Sequence, residues 1–553
     1  MQKIKGISFS GWILLASLLA LGSFHEYISC ALSAALCIGL FCTMHKEKKL
    51  YYQKDIHAAA VLAVCLGYGI TCLWAVDHGM AFIGFLKFLP LGLYMLCLWQ
   101  EEDAAQACNL LPWAGVLMAA VSAIGMLLPA LKDLFSVAGR LAGFFQYPNT
   151  FAIFLLACQL LAIKKADKKI IDYILILALS AAILYTGSRT AFVVAVLSDM
   201  AMLFLLSRKK ARTALLIVLG VAALGGVVVL LDGDSVIARY LSISLTESTF
   251  VGRILYYVDA LPLLLKYPFG MGYMGYYYVQ NSIQTGVYSV TYIHNDFLQL
   301  LLDIGWVPGG LFIASVVRWL LRKDIAPADK LVVAALCVHS LLDFNLQFTG
   351  VFLLLLALMY RPEKRKAVKT GALCKGAVAV TAAVAVYMGC ALALAHWGQR
   401  ELSEKLYPFN TQNKMRILET ETDLQRADAL ADEILAQNES SYVPYSIKGK
   451  YAYSQGNFTQ LIQYKRQTLE RNVFGYEEYE EYCAMLINGA SLYRKKGDVK
   501  SADFCLQELK KTRQLLNSAA DRLSKLGALI DDQPKTELSE ELLEQIRRLE
   551  AGQ

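Results

Sequence analysis

Apolar residues run through this chain in blocks separated by short polar stretches. The blocks are about 20 residues long, the length at which a helix crosses the hydrocarbon core of a bilayer. Candidate spans fall at 7–24, 27–44, 56–76, 80–99, 110–131, 147–163, 170–185, 191–206, 213–231, 297–321, 331–345, 349–360 and 376–397. The pattern predicts an all-α polytopic membrane protein of about 12 or 13 transmembrane helices. Two blocks, 331–345 and 349–360, are short. As a re-entrant pair they would need a cavity for Asp343 and Asn345, which are costly in hydrocarbon.

The pattern changes after residue 397. Residues 398–553 are polar with helical periodicity, which divides the chain into a membrane domain, 1–397, and a C-terminal helical domain, 398–553. Ala490, Tyr493, Gly497-Asp498 and Ala502 have the spacing of a tetratricopeptide helix–turn–helix, and Gly449, Ala452, Gly456-Asn457 and Leu461 form a looser copy. An arbitrary helical hairpin is the alternative. Stacked repeats dock other molecules, so this tail points to a protein partner rather than to chemistry. Ser539 is placed to cap a last charged helix over 539–549.

Charge orients the spans. Lys46, Lys48, Lys49 and Lys54 fill the second loop, and Lys164, Lys165, Lys168 and Lys169 the sixth. Arg208, Lys209, Lys210 and Arg212 lie in the eighth loop. Arg322, Lys323 and Lys330 lie in the tenth, and Arg361, Lys364, Arg365, Lys366 and Lys369 in the twelfth. The even loops and the N-terminus are therefore expected in the cytoplasm. The acidic fourth loop, Glu101-Glu102-Asp103, weighs little in this rule. The odd loops, among them a large one at 232–296, and the tail are expected outside.

Composition agrees with a membrane protein: 56% of the 553 residues are apolar and 18% charged, where a soluble chain carries about a quarter. The net charge of +7 sits in short loops between spans and reads as topology, not as nucleic-acid binding. Most of the thirteen cysteines lie in or beside apolar blocks, where they act as small hydrophobes. The first block follows Lys3 and Lys5 without an evident small-residue cleavage site, and is expected to be a first span.

Four side chains stand out on the expected outer side. Arg140 lies in GRLAGFFQYPN, Arg189 in TGSRTAF and Arg253 in FVGRILYY. His294 stands in TYIHNDFLQLLLDIG, at the mouth of an apolar helix. Arginine grips phosphate oxygens with a planar fork of donors, so two or three around one point make a pyrophosphate site. A neutral histidine at headgroup depth can take a proton from an attacking hydroxyl. Each residue has a plainer reading. A terminal arginine snorkels to the interface, Arg253 pairs with Glu247 or Asp259, and His294 is a satisfied interfacial histidine. Asp234, Glu247, Asp259 and Asp296 could hold a metal, but no histidine cluster accompanies them, and metal-independent chemistry without a cofactor is expected. Tyr273 and its neighbouring tyrosines could stack on sugars or form an interfacial aromatic belt.

In order along the chain, these pieces resemble the O-antigen ligase and O-antigen polymerase superfamily. The resemblance rests on Arg140-x-x-Gly143 before Tyr147-Pro148-Asn149, on Ser188-Arg189-Thr190, and on Gly252-Arg253 leading to Pro268-x-Gly270-x-Gly272. It ends on His294-Asn295, Leu298 and Gly305. It implies a bacterial cytoplasmic-membrane glycosyltransferase that passes glycan from undecaprenyl pyrophosphate to an acceptor hydroxyl outside the membrane, inverting the anomeric centre. The acceptor class would be glycan, lipid or protein. Carried over residue by residue, Arg189 and Arg253 would hold the pyrophosphate and His294 would act as base. Arg140, Asn295 and Tyr273 would be substrate contacts. A transporter or flippase of lipid-linked glycan and a non-catalytic scaffold displaying the tail are the competing classes. The first should line a route with polar residues, and the second should not need Arg189 or His294.

Overall fold

The computed structural model describes residues 7–101, 108–166, 169–205, 246–362 and 364–550, with 215, 220, 240 and 244 as single positions. Most of the span expected at 213–231, the basic run 208–212 and Asp234 lie outside the described residues.

The described chain is all-α. It opens with α1 (Phe9–Leu19), α2 (Glu26–Glu47), the short strand β1 (Lys49–Gln53), α3 (Ile56–Thr71), α4 (His78–Gln100) and α5 (Leu111–Leu127). A one-turn α6 (Lys132–Phe135) leads into a small hairpin, β2 (Ser136–Val137) and β3 (Arg140–Leu141). Then come α7 (Pro148–Lys165), α8 (Ile170–Tyr185), α9 (Arg189–Leu205), α10 (Ser248–Lys266) and α11 (Gly275–Ile283). They are followed by α12 (Asp296–Ile304), α13 (Trp306–Leu321), α14 (Pro327–Ser340), α15 (Thr349–Met359), strand β4 (Arg365–Lys369) and α16 (Ala372–His396). The tail holds α17 (Arg400–Leu406), α18 (Thr411–Leu418), α19 (Leu424–Leu435), α20 (Val443–Ser454), α21 (Phe458–Arg471), α22 (Tyr476–Lys495), α23 (Val499–Asn517) and α24 (Glu540–Glu550).

Four of these helices, α2, α4, α10 and α16, are long and apolar enough to cross a membrane; several others are apolar but shorter. One expected span is broken. The block at 297–321 is two helices, because Gly305 takes φ 84° and ψ 178° between Ile304 and Trp306. That φ lies where a Cβ is strained, so glycine sets the break. The short blocks at 331–345 and 349–360 are separate helices joined by an irregular turn, 341–348. The loop expected at 232–296 also carries regular structure, α10 and α11.

The residues form two compact units. The first comprises 1–70, 82–243 and 294–393; the second comprises 71–81, 244–293 and 394–553. In the first, α7 is buried on every side from Thr150 to Ile163, which makes it the central helix. Its neighbours turn apolar side chains outward: Leu117, Ile124 and Leu127 on α5, Ile170 and Ile174 on α8, Leu197 and Phe204 on α9. So broad an exposed apolar surface calls for lipid as the surrounding solvent.

The connections of this unit gather at two ends. At one end β1 pairs antiparallel with β4. There Arg365 donates to the Trp99 carbonyl at 3.2 Å, and Asp329 is salt-bridged by Lys164 and by Arg361, the latter at 3.6 Å. At the other end Phe24 and Phe145 pack on Phe348, with ring centroids 4.6 and 5.7 Å apart. Helices α1 and α15 run between the ends, from Phe9 to Leu19 and from Met359 back to Thr349.

In the second unit the tail folds together with α10, α11 and the 71–81 turn. Val473 N–H donates to the Asn281 carbonyl at 3.2 Å, Ser524 N–H to the Thr285 carbonyl at 2.9 Å, and Asp531 N–H to Ser248 Oγ at 2.8 Å. Ile530 packs into a small core with Val251 and Leu255. Tyr407 donates to the Gly79 carbonyl at 2.9 Å, and Asn438 to Asp77 at 3.2 Å. Burial pushes the Asp77 carboxyl up, against the bonds it accepts from Thr411, Met80 N–H and Asn438. Within the tail, α20–α21 and α22–α23 are helical hairpins with one turn design. Gly456 and Gly497 take φ 69° and 76°, and the next residues, Asn457 and Asp498, cap the following helix through Gln460 N–H and Ser501 N–H. The last helix, α24, packs Leu542, Ile546 and Leu549 into the core shared with α22.

The loop–tail contact is tight enough to test. A Cβ on Gly527 would stand 2.1 Å from the Thr285 carbonyl oxygen. Gly527→Val is expected to weaken this docking by about 2 kcal/mol. Limited proteolysis of the full chain should then cut between 518 and 540 faster than in the wild type, while α20–α23 stay protected. An unchanged cleavage pattern would contradict the packing described.

Candidate functional site

The site assembles from the loops at one end of the first unit. Ala138 and Gly139, both with positive φ, turn the β2–β3 hairpin, which presents Arg140. The guanidinium donates through Nε to the Thr186 carbonyl at 2.8 Å and through Nη2 to Asn149 Oδ1 at 2.7 Å. Asn149 lies in the first turn of α7, which Pro148 opens at a position whose N–H would have no helical partner anyway. Its Nδ2 donates to Asp343 Oδ2 at 2.8 Å. Asp343 Oδ1 accepts from the Tyr147 hydroxyl at 3.0 Å and from Phe344 N–H at 2.9 Å.

His294 faces the same carboxylate. Its Nδ1 stands 3.6 Å from Asp343 Oδ1, ion-pair range rather than a hydrogen bond, and its ring meets Phe344 edge-on at 4.9 Å. The Asp343 side chain is fully buried, whereas His294 keeps a fifth of its side-chain surface exposed. His294 takes φ 55°, a left-handed conformation uncommon outside glycine. Such strain persists where surrounding structure over-determines it. Here the determinant is the start of α12. Asn295 caps that helix, its Oδ1 accepting from Leu298 N–H at 3.0 Å, and the buried Asp296 accepts from Leu346 N–H at 2.9 Å. The carboxylate at the imidazole is thus Asp343, while Asp296 ties α12 to the 341–348 turn. Beneath it Asn345 bonds Thr150, Ser340 and His339 at 3.1, 3.2 and 2.9 Å, which satisfies the polar groups of the α14–α15 turn inside the protein.

Arg189 is the first residue of α9, half-buried, in a turn where Ser188 Oγ accepts from Ala191 N–H at 3.4 Å. Arg140 is bonded to the opening of that turn at Thr186. The structure therefore brings together Arg140, His294, Asn295 and the Arg189 turn in one unit. Arg253 and Tyr273 belong to the other. Arg253 is half-buried on α10. Asp259, six residues on, is committed to Thr285 N–H, Thr285 Oγ1 and the Tyr288 hydroxyl at 2.9, 2.6 and 2.9 Å. Tyr273 is buried, and its hydroxyl bonds that of Tyr292 at 2.8 Å, so it braces the loop from within.

Sequence reasoning missed Asp343 as a site residue and treated it only as a costly charge in a short span. The signal was that cost: a carboxylate in an apolar block needs donors, and Tyr147 and Asn149 supply them. Removing the acceptor strands three donors. Asp343→Ala is expected to lower stability by about 3 kcal/mol, and Asp343→Asn by less, because the amide oxygen can still accept. Thermal unfolding of the purified protein in detergent measures both; equal, small losses would contradict the network.

Comparison with known proteins agrees with this region. The family model described as O-Antigen ligase matches residues 174–314. The matched stretch contains Arg189, Arg253, His294, Asn295 and Gly305; Arg140, Asp343 and the tail fall outside it. No curated protein matches the chain. Residues 174–314, with the turn carrying Arg189 and the strained His294 at the head of α12, are thus the part of the chain similar to the O-antigen ligase family, which supports the O-antigen ligase and polymerase superfamily.

Proposed function

We propose that this membrane glycosyltransferase moves a glycan from undecaprenyl pyrophosphate to an acceptor hydroxyl at the outer membrane surface, with inversion and without a metal. The supporting observation is the placement of His294. A half-open imidazole, its Nδ1 turned toward a buried carboxylate, shares one end of the first unit with Arg140 and the Arg189 turn. A proton on Nδ1 facing Asp343 leaves Nε2 as the basic nitrogen. In the reaction Nε2 takes the acceptor proton while the acceptor oxygen attacks the anomeric carbon. The bond from that carbon to the pyrophosphate oxygen breaks, and the leaving charge goes to the lipid pyrophosphate. Arg189 holds that charge, with Arg140 fixed beside its turn by the Thr186 carbonyl and Asn149. Asn295 shapes the acceptor side through the α12 start. For Arg253 and Tyr273 the support is the resemblance, which makes the first a pyrophosphate contact and the second a substrate contact.

The proposed topology puts the chain in the bacterial cytoplasmic membrane, N-terminus inside and residues 398–553 outside. Its support is the gathering of connections. The basic loops expected inside meet at the β1–β4 end, and those expected outside carry the site residues at the other. The tail, built of two like helical hairpins, takes a tetratricopeptide-like docking role toward a protein partner.

The test is transfer from a pyrophosphate-linked glycan in membranes, read on a gel. Arg189→Ala and His294→Ala are expected to lose transfer by roughly a hundredfold or more at equal expression and unchanged unfolding temperature. Arg189→Lys should recover part of it, since a point charge replaces the fork. A ladder of products marks a polymerase and single addition a ligase. Full transfer in both alanine variants would remove the proposed site and favour a transporter of lipid-linked glycan or a scaffold.

A further inference from the structure

The first unit carries a second polar feature at the end away from His294. A cleft of about 980 Å³ opens there among α1, α2, the end of α4 and the β1–β4 sheet. Its walls are apolar at Phe9, Ile38, Leu40 and Cys97. Phe9 and Ile38 are 40% and 61% exposed, so two large apolar groups stand open on its wall. Its mouth is cationic, with Lys46 exposed at the end of α2 and Arg365 on β4. Arg365 stacks over the Tyr51 ring at 5.3 Å, and Lys49 lies over the same ring at 4.9 Å. Two acids also line the cleft. Glu101 is turned to α1, accepting from Ser10 N–H at 2.9 Å and from the Ser10 hydroxyl, and Glu47 closes α2.

The sheet at the mouth is electrostatically odd. Its strands read KLYYQ and RKAVK and hold no acid. Lys49 stands directly across from Lys369, while Lys366, across from Tyr52, projects from the other face. Like charges directly opposite destabilise a strand pair, and a two-stranded sheet is marginal by itself. Because β1 joins α2 to α3, and β4 joins α15 to α16, the sheet sits where apolar helices leave the membrane. Anionic headgroups at that level would relieve the repulsion.

We propose that this cleft binds one anionic phospholipid. Its phosphodiester lies at Lys46 and Arg365, and an acyl chain lies along Ile38 and Phe9. The long apolar wall distinguishes this from a site for free phosphate. The site is separate from the transfer site, at the opposite ends of α1 and α15, so neither reading depends on the other.

The experiment uses the full-length protein in detergent, offered phosphatidylglycerol and phosphatidylcholine of equal chain length, with retained lipid read by native mass spectrometry. Wild type is expected to retain phosphatidylglycerol about tenfold over phosphatidylcholine, a difference of about 1.4 kcal/mol. Lys46→Glu should bring the ratio toward one. Cys42→Trp, from an exposed position on the cleft wall, should reduce retention of both lipids without changing charge. Where Lys46→Glu loses unfolding temperature, Lys46→Gln at the same exposed position replaces it, with a smaller loss of preference; where Cys42→Trp does, Cys42→Phe replaces it, with the same reduced retention of both lipids. Excess inorganic phosphate should leave the lipid bound. Equal retention of the two lipids by wild type overturns the proposal, as does a preference that survives the charge substitutions, or displacement by phosphate.

Discussion

The structure of the first unit depends on one buried carboxylate. Asp343 sits in an apolar stretch where an isolated charge would cost many kcal/mol. It is tolerable because a tyrosine hydroxyl, an asparagine amide and a backbone N–H converge on its two oxygens. Those donors come from the start of α7 and from the α14–α15 turn, and the imidazole beside them comes from the start of α12. Meeting the needs of one anion therefore fixes three helix ends relative to one another. Arg140 extends the network through Asn149 to the turn before α9. Arg140 and His294 stand on this rigid base, and the polar groups that make it rigid would be costly if left unpaired in hydrocarbon.

The same logic accounts for the irregular backbone. Non-helical segments at membrane depth are tolerated where they are buried in protein. The 341–348 turn is such a segment, with Asn345 bonded on both sides by α7 and α14 and Leu346 N–H held by Asp296. The break at Gly305 is another. It ends α12 after nine residues, so the helix that carries His294 is short, and α13 can leave in a direction of its own.

Much of this was legible in the sequence, for reasons that differ by level. The spans could be read because a bilayer imposes a length and hydrocarbon excludes charge, so α7, α8 and α16 fall within a few residues of the blocks that announce them. Arg140, Arg189 and Arg253 stood out because arginines in the odd loops, expected outside, are few. The break at 305 was hidden because apolar periodicity continues through it, although Gly305 with Pro308 three residues on was a helix stop and restart in plain view. Helix α10 was hidden within 232–296, a stretch polar and tyrosine-rich as a whole although α10 itself is apolar enough to span. Its buried positions, Val251, Leu255, Asp259 and Leu263, recur every four residues, but one of them is a carboxylate whose partners, Thr285 and Tyr288, lie beyond the helix. Asp343 was misjudged for the same reason. A single sequence shows that a buried charge is expensive, but not which distant donors offset it.

The two ends of the first unit show how one chain separates two kinds of cation. At the His294 end the positive charge is tied down: Arg140 is held by a carbonyl and an amide oxygen, in a shell that fixes its direction. At the sheet end lysines stand exposed on β4 and across from one another, with little to orient them. Directed guanidinium groups suit a reaction that must stabilise charge at one point. Undirected ammonium groups suit a surface that need only be positive. The helices between them bury few charged groups among the described residues: Lys87 with Glu26 at 3.5 Å, Asp303 bonded by Tyr68 and Gln299, and Asp199 bonded by Gln159. The two kinds of cation thus stand at separate ends of the unit, the exposed lysines at the sheet and the fixed guanidinium of Arg140 in the network that reaches His294.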